Sequence, residues 1–175
     1  MANVVDVANY FLLLNKRRYE KISSEDDKDS RFQTEADMIT HLKLQKLVYY
    51  AQGLYLAYFN KPLFTQSVEA WRHGPVVNDL YHIFKPYHKN DLMPLADKIN
   101  ENDLQLDDNE KFIIKMTFKR YGGLSANTLR DKTHEEPTWL NTYELNKNNV
   151  IDNELMKSFF VEQIKQDLDR LYTER

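Results

Sequence analysis

The stretch most able to do chemistry is Glu-Ala-Trp-Arg-His-Gly-Pro at residues 69–75, where polar and aromatic side chains are most concentrated. In an enzyme, Glu69 could serve as a general base and His73 as a general acid. A helix beginning at Pro75 would present its first backbone amides to an anion, and Gly74 would leave room for a close approach. Together these features would suit a small hydrolase-like enzyme.

The same stretch also has a structural interpretation, in which no group reacts. Trp71 then packs in the core and Arg72 pairs with a carboxylate. Gly74 and Pro75 simply begin a helix. We favour this interpretation over catalysis, and we also favour an interaction surface over catalysis, because tryptophan and arginine are the residues that most often anchor interfaces.

The histidines do not form a recognisable metal site, because no two of them have the spacing of ligands on one helix. His82 lies opposite Leu80 and Phe84 on a helical projection, so we expect it to be exposed to solvent. The sequence also lacks a nucleophile elbow and a phosphate-binding loop. We therefore expect no catalytic residues, no metal and no cofactor. The histidines are His41, His73, His82, His88 and His134.

Lys46 is the unusual residue of an apolar stretch at residues 40–59. On a helix it shares a face with Tyr50, Gly53 and Ala57. One interpretation is that its aliphatic stem covers apolar surface while its amine reaches solvent. Another is a groove along the small residues of that face, with Lys46 at its mouth, which takes the side chains of another protein. If Lys46 is fully buried, it is instead an internal polar group that holds the fold.

Residues 40–59 are predicted to form the helix around which the domain is built. Thr40 is the predicted N-cap. Apolar residues also fall on the back of the helix, so we expect it to be buried on most sides. Its polar residues then need hydrogen-bond partners. The main apolar stripe consists of Leu44, Leu47, Val48, Ala51, Tyr55 and Tyr58.

The remaining elements follow from periodicity, caps and breakers. Asp107 and Glu110 predict a capping box at the start of a helix whose inward residues are Phe112, Ile113 and Met116. In chain order we expect a helix over 4–18, a polar surface loop over 23–37, the central helix, short strands within 63–73, a helix from Gly74-Pro75 to Phe84, a loop over 87–106, a helix to Tyr121, a short helix after Ser125, and a C-terminal helix over 152–173.

The expected fold class is mainly α. It is a single compact domain, residues 1–175, of about six helices around the buried central helix 40–59, with a small two-stranded β element near 63–73. A chain of 175 residues is long enough to bury a sizeable core.

The composition limits the class of protein further. The chain has no cysteine, which excludes disulfides and thiolate metal ligands and suits a reducing cytoplasm. The formal net charge of −3 does not favour binding to nucleic acid. No stretch approaches the length of a membrane span, and no basic region precedes the apolar N-terminal residues. We therefore expect a cytoplasmic protein without a signal peptide or a membrane partner.

Three stretches of the chain, in a specific order, carry a family signature. They are Leu-Lys-Leu-Gln-Lys-Leu-Val-Tyr-Tyr-Ala-Gln-Gly at residues 42–53, Glu-Ala-Trp-Arg-His-Gly-Pro-Val-Val at residues 69–77, and Tyr-Gly-Gly-Leu-Ser-Ala at residues 121–126 with Thr-His at residues 133–134. They resemble the Panacea domain, also called the SocA-like or phage-associated GepA-like domain. The resemblance covers residues 4–139, most of the chain.

The resemblance implies a mainly helical antitoxin domain of bacterial and phage toxin–antitoxin systems. Such a domain neutralises a cognate toxin by direct contact, and the toxins of different members differ widely. At least one relative acts as an adaptor that delivers a toxin to a protease. Several motif residues are expected to determine the fold, because a domain family with many different partners should retain its core residues and vary its contact surface. The partner-binding candidates are Lys46, Tyr50, Trp71, Arg72, His73, Gly74, Pro75 and His134.

The sequence departs from the family pattern at a few places. His73 stands where a tyrosine is expected, and the Gly-Gly pair at residues 122–123 replaces a single glycine. Thr138 separates a proline from Trp139, which are expected to be adjacent. The polar loop over residues 23–37 is longer than usual. These departures leave the expected fold unchanged and bear on contacts near Trp139.

We therefore expect a non-enzymatic antitoxin whose partner is a toxin protein. The first alternative is a proteolytic adaptor, with residues 23–37 or the C-terminal helix as a tether to an unfoldase. The second is a small enzyme that uses Glu69 and His73. Operator binding through a helix-turn-helix is disfavoured, since the chain is acidic overall and lacks a basic recognition helix. Self-association into a homo-oligomer stays open.

Overall fold

The structure is a computed structural model that describes residues 1–24 and 38–173 and is mainly helical. Short 3₁₀ helices connect the third and fourth α-helices, at Lys85–Tyr87, Met93–Lys98 and Glu101–Asp103. The other elements are α1 (Val4–Ser24), α2 (His41–Phe59), β1 (Val68–Trp71), β2 (Gly74–Val77), α3 (Asn78–Phe84), α4 (Asp108–Tyr121), α5 (Ala126–His134), α6 (Pro137–Leu140) and α7 (Asn153–Thr173). The predicted fold class is confirmed, because α2 lies at the centre and β1 pairs with β2 in an antiparallel sheet.

Helix α2 is buried on all sides over most of its length, as its apolar pattern predicts. Every residue from Lys43 to Leu56 is buried, because α4, α5, α7 and strand β2 all pack against the helix. Thr40 caps its N-terminus, since the Lys43 amide donates to the Thr40 hydroxyl at 3.3 Å. The helix ends at Asn60, whose left-handed backbone (φ 53°) is a conformation that asparagine tolerates. Tyr58, near that end, is exposed.

The buried glutamines of α2 bind backbone groups of the segments around it. The Val77 amide donates to Gln45 Oε1 at 2.8 Å, and Gln45 Nε2 donates to the Val77 carbonyl oxygen at 3.2 Å. Gln52 accepts from the Leu63 amide at 2.8 Å and donates to the Phe64 carbonyl oxygen at 3.3 Å. Buried amides without such partners would be costly. The polar side chains of α2 therefore position the β-hairpin and the loop before it.

The segment Gly74–Val77 is a β-strand, so the prediction that its Gly-Pro pair begins a helix is wrong. Trp71 lies opposite the first residue of β2, and a two-residue turn joins the strands. Extended structure is favoured because the two consecutive valines suit a strand. In addition, α2 supplies hydrogen-bond partners for the backbone of Val77. The hairpin is therefore present as predicted, with β1 inside residues 63–73 and β2 directly after them.

The predicted helix starts agree with the structure where the sequence contains a side-chain cap. Asp107 and Glu110 form the predicted capping box of α4, with reciprocal hydrogen bonds of 2.8 and 2.9 Å. The Ser125 hydroxyl accepts from the Thr128 amide at 3.1 Å at the start of α5. Asp152 accepts from two amides in the first turn of α7, at 2.9 and 3.0 Å. A cap involves residues that are close in sequence, so tertiary packing rarely overrides it.

Helix α1 continues to Ser24, past its predicted end at residue 18. The rest of the predicted loop over 23–37, from residue 25 to residue 37, lies outside the described residues. Within the described ranges, no helix combines the length and the apolar character needed to cross a lipid bilayer.

Phe112 does not turn inward as predicted, because its side chain is 53% exposed. Ile113, Ile114 and Thr117 occupy the inner face of α4, and all of them are buried. Phe112 precedes this face by about 100° around the helix. The capping box therefore predicts the start of α4 correctly. Of the three residues expected to face inward, Ile113 is buried, Met116 is half-buried and Phe112 is exposed.

Helix α7 packs along the face of α2 that carries Tyr50 and Gly53. A Cβ atom built on Gly53 would lie 2.1 Å from the ring of Phe160, so the two helices are in direct contact there. Tyr49 and Tyr50 also contact this ring, at centroid distances of 5.7 and 6.0 Å. The groove expected along the small residues of α2 is therefore filled at Gly53 by a side chain of the protein itself.

Candidate functional site

The predicted partner-binding residues fall into a buried layer and an outer layer. The buried layer contains Lys46, Tyr50, Gly74 and Pro75. In the outer layer, Trp71 and His134 are half-buried, while Arg72 and His73 are exposed at the hairpin turn. Only the outer layer can touch a partner without rearrangement of the protein. A partner-binding role for any of these residues stays a prediction.

Lys46 lies fully inside the protein, with 0% of its surface exposed. Its Nζ donates a hydrogen bond to the Pro75 carbonyl oxygen at 2.8 Å. Burial lowers the pKa of this amine to about 7, because removal from water disfavours the ammonium form. The expectation that the amine reaches solvent is therefore wrong. Lys46 is an internal polar group that holds strand β2 against α2.

Gly74 is the point where the hairpin meets both α2 and α5. Its φ of +94° lies in the left-handed region that favours glycine. A Cβ at this position would lie 2.6 Å from Thr133 Oγ1 and 2.8 Å from Lys46 Cε. The backbone conformation and the lack of space both require glycine here.

Glu136 is a buried carboxylate that binds two tyrosines of α2. Tyr49 and Tyr50 donate hydrogen bonds to its two carboxylate oxygens, each at 2.8 Å. The hydroxyls of Tyr49 and Thr138 share a further hydrogen bond of 2.7 Å. Burial raises the pKa of Glu136 and of both tyrosines, so the phenols remain protonated donors at neutral pH.

Sequence reasoning did not identify Glu136 as part of this network. It follows Glu135, which is exposed, and no local pattern distinguishes the two acidic residues. The one sequence signal is Pro137, which begins the short helix α6 and makes Glu136 the residue just before it. Tyr50 was identified, and the structure explains its environment: its ring stacks on Tyr121 at a centroid distance of 4.0 Å.

The outer layer includes an aromatic surface beside the hairpin turn. Trp71 lies 4.7 Å from Tyr81 of α3, and His41 lies 6.1 Å from the same ring, measured between centroids. The Trp71 indole N–H donates to Glu69 Oε2 at 2.7 Å. These rings surround a pocket of about 110 Å³ that opens between α2, the hairpin and α3. We call this surface the hairpin face; it consists of His41, Trp71, Arg72, His73 and Tyr81.

A second aromatic group next to the hairpin is a row of three stacked rings. His134, Trp139 and Tyr143 lie nearly parallel, with successive centroids 4.1 and 4.5 Å apart. The Trp139 indole N–H donates to the Trp71 carbonyl oxygen at 2.9 Å, which joins α6 to β1. Burial, together with the charge of Lys46, lowers the pKa of His134, so its ring is neutral at pH 7.

The catalytic hypothesis lacks one of its required parts. Pro75 lies in strand β2, so there is no helix N-terminus at this position to bind an anion. The Glu69 carboxylate already accepts the indole N–H of Trp71. Burial and the charge of Arg72 lower the pKa of His73. Among residues 1–24 and 38–173, no cluster of three or more histidine and acidic side chains is placed to hold a metal ion.

The fold and this site define a mainly helical domain in which a buried helix supports an exposed aromatic hairpin. The family model described as Antitoxin SocA-like, Panacea domain, matches residues 44–140. The chain therefore belongs to the SocA-like Panacea domain family, and the resemblance inferred from the sequence is confirmed. The matched range contains the hairpin, the Glu136 network and every predicted partner-binding residue. No curated protein and no solved structure matches the chain.

Proposed function

We propose that this protein is an antitoxin that neutralises a cognate toxin by binding it directly, without catalysing a reaction. The observation that carries the proposal is membership of the SocA-like Panacea family, since the match spans the hairpin and most of α2. The hairpin face adds support. It presents Trp71, Arg72 and Tyr81, and these residue types are the most frequent energetic anchors of protein interfaces.

The hydrogen bonds from α2 that hold the hairpin in place also favour a binding function. Lys46 holds the Pro75 carbonyl, and Gln45 holds both backbone groups of Val77. These bonds come from the most buried helix of the domain, so the strand that follows the turn has a defined position. A surface that is already ordered loses less conformational entropy when a partner binds.

Co-expression with the product of the open reading frame next to its gene tests the proposal directly. We expect that product to arrest growth of a bacterial host when it is expressed alone. Growth should recover when this protein is co-expressed, and the two proteins should co-elute on size-exclusion chromatography. A neighbour that is harmless alone, or that remains toxic beside this protein, would contradict the proposal.

Two further measurements separate direct neutralisation from its alternatives. The variants Glu69→Gln and His73→Asn should change growth rescue only to the extent that they change toxin binding. Loss of rescue with unchanged binding would indicate catalysis by these residues. The amount of toxin in a protease-competent host should stay constant during rescue, whereas its depletion would indicate a proteolytic adaptor.

A further inference from the structure

The pocket of the hairpin face has the size and lining of a receptor for one apolar side chain. Its volume is about 110 Å³, and its walls include Leu42, Trp71, Val76 and Tyr81, which expose almost only apolar atoms. An apolar cavity of about 150 Å³ is large enough to hold benzene. This pocket therefore suits an aliphatic side chain of leucine, isoleucine or methionine size.

Gln45, the amide side chain of the pocket wall, is not free to orient a small polar ligand. Gln45 lines the pocket, but both ends of its amide are already bonded to the backbone of Val77. A ligand inside would find apolar contact without directional hydrogen bonds from this side chain. Specificity must then come from the other polar side chains of the lining, His41, Arg72 and His73, and a segment of a protein can contact the pocket and its rim together.

Arg72 is the one lysine, arginine or acidic residue among the described residues that line the pocket. Arg72 lines the opening and is exposed, and within the described part of the chain it makes no hydrogen bond or ion pair. The Lys85 ammonium lies 5.6 Å from the centroid of the Tyr81 ring, which forms part of the pocket wall. The carboxylate of Glu69, in strand β1, already accepts the Trp71 indole N–H. A partner that approaches the pocket therefore meets a cationic rim that favours a carboxylate.

We propose that the pocket receives an aliphatic side chain from a segment of the toxin in which a neighbouring aspartate or glutamate pairs with Arg72. This inference rests on the proposed antitoxin function and specifies the surface and the chemistry of the contact. Apolar burial in the pocket supplies affinity, and the ion pair at the rim supplies orientation and a faster, salt-dependent association.

The test measures binding of the purified product of the adjacent open reading frame to four variants of this protein. Arg72→Glu reverses the rim charge, and Lys119→Glu makes the same change at an exposed position of α4. Tyr81→Ala opens the pocket wall, and Phe112→Ala removes an exposed ring from α4. We expect the dissociation constant to rise about tenfold or more for Arg72→Glu and Tyr81→Ala, and to stay within about twofold of wild type for the two controls.

The kinetics and a rescue experiment give independent readouts. Arg72→Glu should slow association and weaken its dependence on salt. Changing the paired toxin carboxylate to lysine should restore affinity toward Arg72→Glu while weakening binding to the wild type. If no such acidic position exists in the toxin, the ion pair with Arg72 is refuted.

Circular dichroism and the melting temperature establish that each variant is folded. Should Tyr81→Ala unfold, Leu42→Ala at the half-buried wall provides the second test of the pocket, with the same expected loss of affinity. If the wild type binds the toxin but Arg72→Glu and the pocket variants bind equally well, the pocket proposal is overturned and the antitoxin function stands. If the wild type itself does not bind or neutralise the toxin, both proposals are overturned.

Discussion

Lys46 Nζ lies 2.8 Å from the carbonyl oxygen of Pro75 and donates a hydrogen bond to it inside the protein. This bond joins the central helix α2 to the strand that follows the exposed hairpin turn. A residue of the family motif can thus shape the hairpin face without touching a partner. We expect changes in the buried layer to act mainly on stability and changes in the outer layer to act mainly on binding.

Replacing Lys46 by methionine should reduce the pH dependence of stability. The folded-state pKa of about 7 lies below the ordinary value of 10.5, so the unfolded state binds more protons between these two values. The free energy of unfolding of the wild type should therefore rise as the pH increases from about 7 to about 10. Relative to Lys46→Met, the gain should be roughly 3 kcal/mol. Urea denaturation at several pH values in this range measures it.

The quantity to compare is the difference in the free energy of unfolding between the wild type and Lys46→Met, because the buried tyrosines also titrate at high pH in the unfolded state. Their contribution is the same in wild type and in Lys46→Met, so it cancels. Lys119→Met, at an exposed position, is the matched control and should follow the wild-type curve. Parallel curves for the wild type and Lys46→Met would show that no buried amine titrates in this range.

Replacing Glu136 by alanine should leave the Tyr50 hydroxyl without its acceptor, while the Tyr49 hydroxyl keeps its hydrogen bond with Thr138. A buried polar group without a partner costs about 1–3 kcal/mol, so we expect a loss of roughly that size. Glu136→Gln retains a carbonyl oxygen and removes a buried charge, so its loss should be less than about half as large. The exposed neighbour Glu135→Ala is the control. Equal losses for alanine and glutamine in urea denaturation would contradict the hydrogen-bond explanation.

Alanine at Gly53 tests the contact between α2 and α7. In most helix interiors this change stabilises by about 1 kcal/mol. Here the new Cβ would lie 2.1 Å from the Phe160 ring, so we expect a loss of roughly 1–3 kcal/mol instead. Adding Phe160→Leu should recover part of the loss in a double-mutant cycle. Gly123→Ala, whose Cβ would meet only Arg18 atoms at 3.6 Å or more, should change stability by less than about 0.5 kcal/mol.

The two tryptophans should differ in their effects on stability. Trp139 is 9% exposed, and its indole N–H is bonded to the Trp71 carbonyl, so Trp139→Ala should cost about 3–5 kcal/mol. Trp71 is half-buried, and Trp71→Ala should cost roughly 1–2 kcal/mol. Thermal and urea unfolding of both variants measure this difference. A larger loss for Trp71 would place it in the core instead of on the hairpin face.

The sequence by itself determined the central helix, several helix starts and the family. Apolar residues on every side of residues 40–59 predict a buried helix, and Thr40 predicts where it begins. Asp107 and Asp152 likewise predict the starts of α4 and α7. These predictions succeeded because helical periodicity and capping depend on residues within a few positions of one another. The motifs around Lys46 and Trp71 were sufficient to recognise the family.

Only the tertiary structure decided which polar residues are internal and where the pocket lies. Lys46 meets a carbonyl 29 residues away, and Tyr49 meets a carboxylate 87 residues away. The strand Gly74–Val77 is stabilised in part by Gln45 of α2, which hydrogen-bonds both the N–H and the carbonyl of Val77. The pocket is a space between α2, the hairpin and α3 that no single segment contains. Burial, pKa and shape complementarity depend on groups brought together from distant parts of the chain. A local sequence pattern does not indicate which distant groups will meet.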